Sequence, residues 1–103
     1  MYRVLFVVHR KPELSRAEFL AHYRDVHFPI ATTFPDLLSY EVFPLPATES
    51  DDTDPDAFAV MTFESAQAFE SAVASPQFAE AVADNESFVA SFDTFTVDHY
   101  KVV

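Results

Sequence analysis

The succession of segments predicts an α+β fold: a four-stranded antiparallel sheet in β-α-β-β-α-β order, with both helices on one face. Three observations carry this. Tyr2 to His9 and Ala57 to Phe63 are short and apolar on both faces, as central strands are. Two other stretches combine helix-start chemistry with apolar residues at three- and four-residue steps. The length, 103 residues, suffices for one core and not for two, so residues 1–103 read as a single domain.

Each element follows from local chemistry. Tyr2, Val4, Phe6 and Val8 form one face of the first strand and Leu5 and Val7 the other, and Arg10-Lys11-Pro12 turns the chain out of it. Ser15 and Glu18 make a capping box at the start of the first helix. Phe19, Leu20, Tyr23, Val26 and Ile30 then mark its buried face. Pro29 disfavours helical geometry at Phe28, which predicts a kink or an end just after His27. Leu37 to Leu45 alternates as a half-buried strand and stops at Pro44 and Pro46. Ala47 to Asp56 is an acidic loop. Its five carboxylates within eight residues lack the glycine turn and closing glutamate of a calcium loop. Ala57 to Phe63 is the third strand. Ser65 to Val89 is helical, with a restart where Ser75 caps and Pro76 takes the first helical position. Phe92 to Val103 alternates as the fourth strand. The plan is ferredoxin-like. It leaves one sheet face bare, and a bare apolar face marks an interface, so a homodimer packed sheet to sheet is expected.

Composition excludes several classes of function. Seventeen acidic against six basic residues give a net charge of −11, which argues against nucleic acid or an anionic membrane as partner. Cysteine is absent, which removes disulfides, thiolate nucleophiles and thiolate metal sites. Glycine is absent too, so a phosphate-cradling loop or dinucleotide fingerprint cannot form, and positive-φ positions fall to residues such as Asn85 or the loop aspartates. No apolar run is long enough to span a membrane, and the cationic residues near the start follow the apolar run, the reverse of a secretion signal. The expectation is a soluble, cytoplasmic protein.

The chemistry must then come from histidine and tyrosine. His27 falls within the apolar stripe of the first helix, at its end. It reads either as an acid/base group facing a cleft or as a buried ring tied to a backbone carbonyl. His22 reads as a surface residue paired with Glu18 or Asp25. Tyr40 suits an apolar pocket as a hydrogen-bond donor, or else packs in the core. His9 and His99 lie near opposite ends of paired strands and Arg10 follows the first strand. All three are candidate ligand contacts set against ordinary roles in strand ends and charge balance. The five-residue step from His22 to His27 does not stack the two rings on one α-helical face, so no metal site is expected.

Several motifs resemble the EthD family of dimeric α/β-barrel proteins. They are RKPELS at 10–15, EFLAHYRDVHFPIA at 18–31 with its His-x-Pro, Tyr40 on the second strand, and FESAQAFESAVASPQF followed by Asp84 in ADNESF. Three positions depart from the pattern: His22 stands where the family usually has an aromatic, Tyr23 where tryptophan is common, and Phe28 where a small residue is usual. These changes reshape a pocket without removing its histidine. The resemblance implies a homodimer whose sheets close into an α/β barrel, and a hydrophobic cleft between sheet and helices. It also implies chemistry needing no metal or nucleotide, as in the family's ether-degradation accessory protein, a muconolactone isomerase and polyketide cyclases or dehydratases. The expected function is a cofactor-free isomerase, lyase or cyclase acting on a small apolar, oxygenated, cyclic or aromatic compound. His27 would act as acid/base and Tyr40 as hydrogen-bond partner, with His22, Tyr23 and Phe28 as further ligand contacts. Two alternatives stand beside it: a non-catalytic accessory or ligand-binding protein of a degradation pathway, and a cofactor-free monooxygenase.

Overall fold

The computed structural model describes residues 1–46 and 54–103 of the chain, so most of the acidic loop expected from Ala47 to Asp56 lies outside the described residues. Four strands, β1 (Tyr2–Arg10), β2 (Ser39–Pro44), β3 (Ala57–Phe63) and β4 (Val89–Val97), form one antiparallel sheet in the order β2-β3-β1-β4. The two segments that are apolar on both faces, β1 and β3, are the central strands. Register puts Val4 opposite Met61, Phe6 opposite Ala59 and Thr94, and Val8 opposite Ala57 and Phe92, all on the face the helices cover.

The first helical run is α1 (Arg16–His22), a π-helical turn (Tyr23–His27) and α2 (Phe28–Ala31). Its capping box is formed: the Glu18 N–H donates to Ser15 Oγ at 3.1 Å, and the Ser15 N–H donates to Glu18 Oε1 at 2.9 Å. The helix does not end at His27. Pro29 has no N–H to give the Asp25 carbonyl, and its ring would press on that carbonyl in a regular α-turn. The backbone widens instead: the Phe28 N–H reaches the Tyr23 carbonyl five residues back, and helix resumes beyond it. The second run divides into α3 (Ala66–Val73) and α4 (Pro76–Asn85), with Ser65 and Ser75 accepting from the Ala68 and Phe78 amides at 3.2 Å each.

Two boundaries differ from expectation. Helix stops at Asn85 rather than Val89, because the Ser87 and Phe88 amides close the last turn on the Asp84 and Asn85 carbonyls. Phe88 is then fully buried, and Val89 pairs with Arg10 at the start of β4. At its other end β4 stops at Val97, which sits opposite Arg3. Beyond that point β1 offers almost no further partner, so His99 lies outside the sheet and exposed. The left-handed position among described residues is Asp36, at φ 62°, a loop aspartate in a chain without glycine.

Phe19, Phe63, Phe88 and Val4 are the largest fully buried side chains. Each buried aromatic contributes about 1.5–3 kcal/mol by leaving water. Among the described residues no helix covers the opposite sheet face. Leu5 and Val7 of β1 lie there beside Phe58 and Val60 of β3, with Phe43 and Phe95 half exposed at its margins.

Candidate functional site

Between the covered sheet face and the helices lies a cavity of about 310 Å³. Its wall is almost wholly apolar, with Phe6, Met61, Phe34, Phe78 and Phe92 among its residues. Polar groups enter at few points: His27 and Tyr23 from the π-turn, Tyr40 from β2, Asn85 from the end of α4 and Thr94 from β4. A concave apolar site with a few convergent polar groups is the usual form of a small-molecule site.

The π-turn builds the polar corner. In a regular α-helix His22 and His27 would point about 140° apart. The widened turn removes that offset, and both rings meet the same carboxylate of α4. His22 Nε2 lies 2.8 Å from Asp84 Oδ1, and His27 Nδ1 lies 2.9 Å from Asp84 Oδ2. The expectation that a five-residue step keeps these histidines apart is therefore corrected, and so is the expected pairing of His22. Glu18 is engaged in the capping box, Asp25 pairs with Arg24 at 3.1 Å, and His22 bonds Asp84. Phe88 lies against both imidazoles, with ring centroids 4.6 Å from His22 and 5.0 Å from His27. Each ring nitrogen aims at its own carboxylate oxygen instead of a common centre. Among the described residues no group of three or more histidines and carboxylates is arranged to hold a metal ion.

The electrostatics follow from burial. An ionised carboxylate only accepts, so Nδ1 of His27 carries the proton in this bond and Nε2 is left as the unbonded ring nitrogen among the described residues. Burial holds the His27 pKa below its ordinary value of 6.5, with the Asp84 hydrogen bond and charge opposing that and the charge of His22 adding to it. The ring is thus neutral near pH 7. Burial first of all pushes the Tyr40 and Tyr23 phenols up, with each hydroxyl also acting on the other, and Tyr40 ends far beyond the usual range. Both remain protonated and can only act as neutral donors or acceptors. Phe28 braces the pair from outside the cavity, with its ring 5.1 Å from that of Tyr23 and 5.8 Å from that of Tyr40.

The other sequence candidates lie elsewhere. His9 is on the bare side of β1, opposite Ser91, and His99 is exposed beyond β4. The Arg10 guanidinium donates to the Leu14 carbonyl at 2.7 Å, and its Nε lies 3.3 Å from Asp56 Oδ1, so it fastens loops and does not line the cavity. Reading the sequence by periodicity also missed two contributors. Asp84 lies 57 residues beyond His27, a separation no local pattern reports. Asn85 looks like any helix-end residue. Pro29 was the available signal for the π-turn, since a proline two residues past His27 forces the carbonyl before it to move.

The EthD domain family matches residues 11–91. No curated protein matches the chain at the level accepted as similarity. Among solved structures, an ethyl tert-butyl ether D (EthD) family protein from Bacillus halodurans is similar at a TM-score of 0.79 and 16% identity, covering 97% of this chain and 100% of that one. A dimeric ferredoxin-like protein of unknown function from Thermobifida fusca is similar at 0.75 and 11% identity, covering 93% and 88%. A protein titled antibiotic biosynthesis monooxygenase is similar at 0.63 and 20% identity, covering 98% and 100%. At these identities the structures speak for the fold, which is ferredoxin-like. The family match spans the first helical run, the second strand and both later helices, and on that ground the chain belongs to the EthD family.

Proposed function

We propose that this protein is an enzyme moving protons on a small, apolar, oxygenated cyclic or aromatic compound. It would act as an isomerase, lyase or cyclase in a catabolic or polyketide-type pathway of the cytoplasm. One observation carries the reading: an imidazole in an apolar cavity wall, its Nδ1 held at 2.9 Å by a carboxylate and its Nε2 unbonded among the described residues. In the proposed reaction His27 Nε2 takes a proton from carbon beside a carbonyl. The C–H electron pair moves into a carbon–carbon double bond, and the carbonyl oxygen becomes an enolate that the Tyr23–Tyr40 hydroxyl pair hydrogen-bonds. Asp84 stabilises the imidazolium so formed. Where the substrate carries a double bond conjugated with the enolate, return of the proton to the γ-carbon isomerises it. Where it carries a β-hydroxyl, the enolate expels that group as water with the returned proton, reforming the carbonyl and leaving an α,β double bond.

The test is deuterium uptake from heavy water into a panel of cyclic ketones and lactones, followed by NMR. His27→Ala should lower the exchange rate by roughly 10²–10⁴ while leaving the circular dichroism unchanged. Equal exchange by both proteins contradicts the assignment. The nearly continuous apolar wall supports a second reading, a non-catalytic carrier or accessory protein. That reading requires saturable binding with no exchange above buffer. A monooxygenase reading requires oxygen uptake with a hydroquinone-type substrate.

The bare sheet face supports the assembly side of the proposal. Leu5, Val7, Phe58 and Val60 form its centre, and a second copy laid on it would cover them. Sedimentation at micromolar concentration should give about twice the 11.6 kDa chain mass, and a monomer contradicts the sheet-to-sheet dimer.

A further inference from the structure

The cavity does not end at Asn85. A shallower groove runs on between α4 and the start of β4, past Glu86 and Ser91, and it shares Val82, Asn85, Val89 and Phe92 with the cavity wall. Asn85 therefore stands where the two spaces join. It is the last residue of α4, its groove opens along the start of β4 while Tyr40 stands on β2 at the opposite edge of the sheet, and its carboxamide has no hydrogen-bond partner among the described residues. Thr94 is the other polar group on that side, and it too is unbonded among them. Polar groups on the β2 side and on the β4 side of one aromatic-lined cavity describe a ligand with two polar ends.

Charge narrows its class. Among the described residues no lysine or arginine lines either space. Arg10 is held by Asp56, Arg24 pairs with Asp25 on the surface, and Glu86 adds a carboxylate to the groove. An anionic ligand would leave water with no counter-charge to meet it, next to Glu86 and in a protein of net charge −11. A neutral one has no charge to strip of water, and its polar ends find hydrogen-bond partners at the two polar sides.

We infer that the ligand is an elongated, uncharged molecule with a hydroxyl or carbonyl at each end. One end meets the His27–tyrosine corner and the other is read by the Asn85 carboxamide at the cavity mouth. The inference rests on the cavity being the ligand site, and it adds that Asn85 determines specificity.

Three probes of one length test it by calorimetry at neutral pH: para,para′-dihydroxybibenzyl, its mono-hydroxy analogue, and the mono-hydroxy analogue bearing a carboxylate at the other end. The dihydroxy compound should bind about fivefold more tightly than the mono-hydroxy one, as one neutral hydrogen bond implies, and the carboxylate most weakly. Asn85→Leu should erase the preference for the dihydroxy compound. Asn85→Asp, which keeps the shape and an acceptor, should retain it and weaken the carboxylate further. Tightest binding by the carboxylate, or an undiminished preference in Asn85→Leu, overturns the inference. Equal binding of the two uncharged probes by the native protein overturns it while leaving the cavity as a ligand site. Binding of none of the three overturns both.

Discussion

Among the described residues two aspartates, Asp56 buried and Asp84 partly buried, are each set between two basic side chains, and they serve opposite ends. Asp56, 7% exposed, ties down the start of β3: it accepts the Arg10 N–H at 2.8 Å and faces the Arg10 and Arg16 guanidiniums at 3.3 and 3.5 Å. Asp84 bridges His22 to His27, the member of the three that lines the cavity, at 2.8 and 2.9 Å. The geometry is alike and the partners differ. Arginine stays charged at every physiological pH, so Asp56 makes a permanent lock. Histidine changes charge near neutrality, so the same bridge around Asp84 can gain and release a proton. The partners' proton chemistry, more than the burial of the carboxylate, separates a fastening from a site.

The comparison is broken most forcefully at Asp56. Asp56→Ala leaves two arginines without their counter-charge and the Arg10 amide without an acceptor. It should cost about 3 kcal/mol, roughly 10–20 °C in Tm for a domain of this size. Thermal unfolding followed by circular dichroism measures this, and a shift under a few degrees would show the lock to be ornamental. The loss should be the same from about pH 5 to 8, since neither arginine titrates there.

Stability around Asp84 should depend on pH, because the folded-state pKa of His27 lies below its unfolded value of 6.5. The unfolded chain then binds the proton more readily. This contribution to stability is complete above pH 6.5, declines as the pH falls through the folded pKa, and levels off below it. The slope is at most about 1.4 kcal/mol per pH unit for one proton. Urea unfolding across this range should give a shallower slope for His27→Gln than for the native protein, while an unchanged slope places the titration elsewhere.

The smallest effect is expected at His22, which is a quarter exposed and bonds the outer oxygen of Asp84. His22→Gln should slow proton exchange on the ketone panel about fivefold, in keeping with one hydrogen bond that positions Asp84. A loss as large as that of His27→Ala would make the two histidines equal partners.

Most of the fold was legible because its signals are local. Ser15 with Glu18, Ser75 with Pro76, and the two-faced apolar runs of β1 and β3 each act within a few residues and were read where they stand. The ends of the second helix and of β4 were less so, because Phe88 is drawn into the core against Phe19 and Tyr23, and β4 stops where β1 runs out of partners. Of the site, His27 was visible as a polar residue in an apolar stripe and Tyr40 as an inward position of an alternating strand. The role of His22 was hidden by the assumption of regular α-geometry, which Pro29 overrides. Asp84 belongs to another helix, and only tertiary packing brings it to both rings.

The central claim is that burial keeps the His27 ring neutral while Asp84 fixes its proton on Nδ1, leaving Nε2 unbonded among the described residues. Nitrogen-15 NMR of the imidazoles across a pH titration tests it most directly, with His27→Gln assigning the resonance. The account predicts the Nδ1–H tautomer at pH 7 and protonation only below pH 6.5. A His27 ring that is already an imidazolium at pH 7, or neutral with its proton on Nε2, would contradict it.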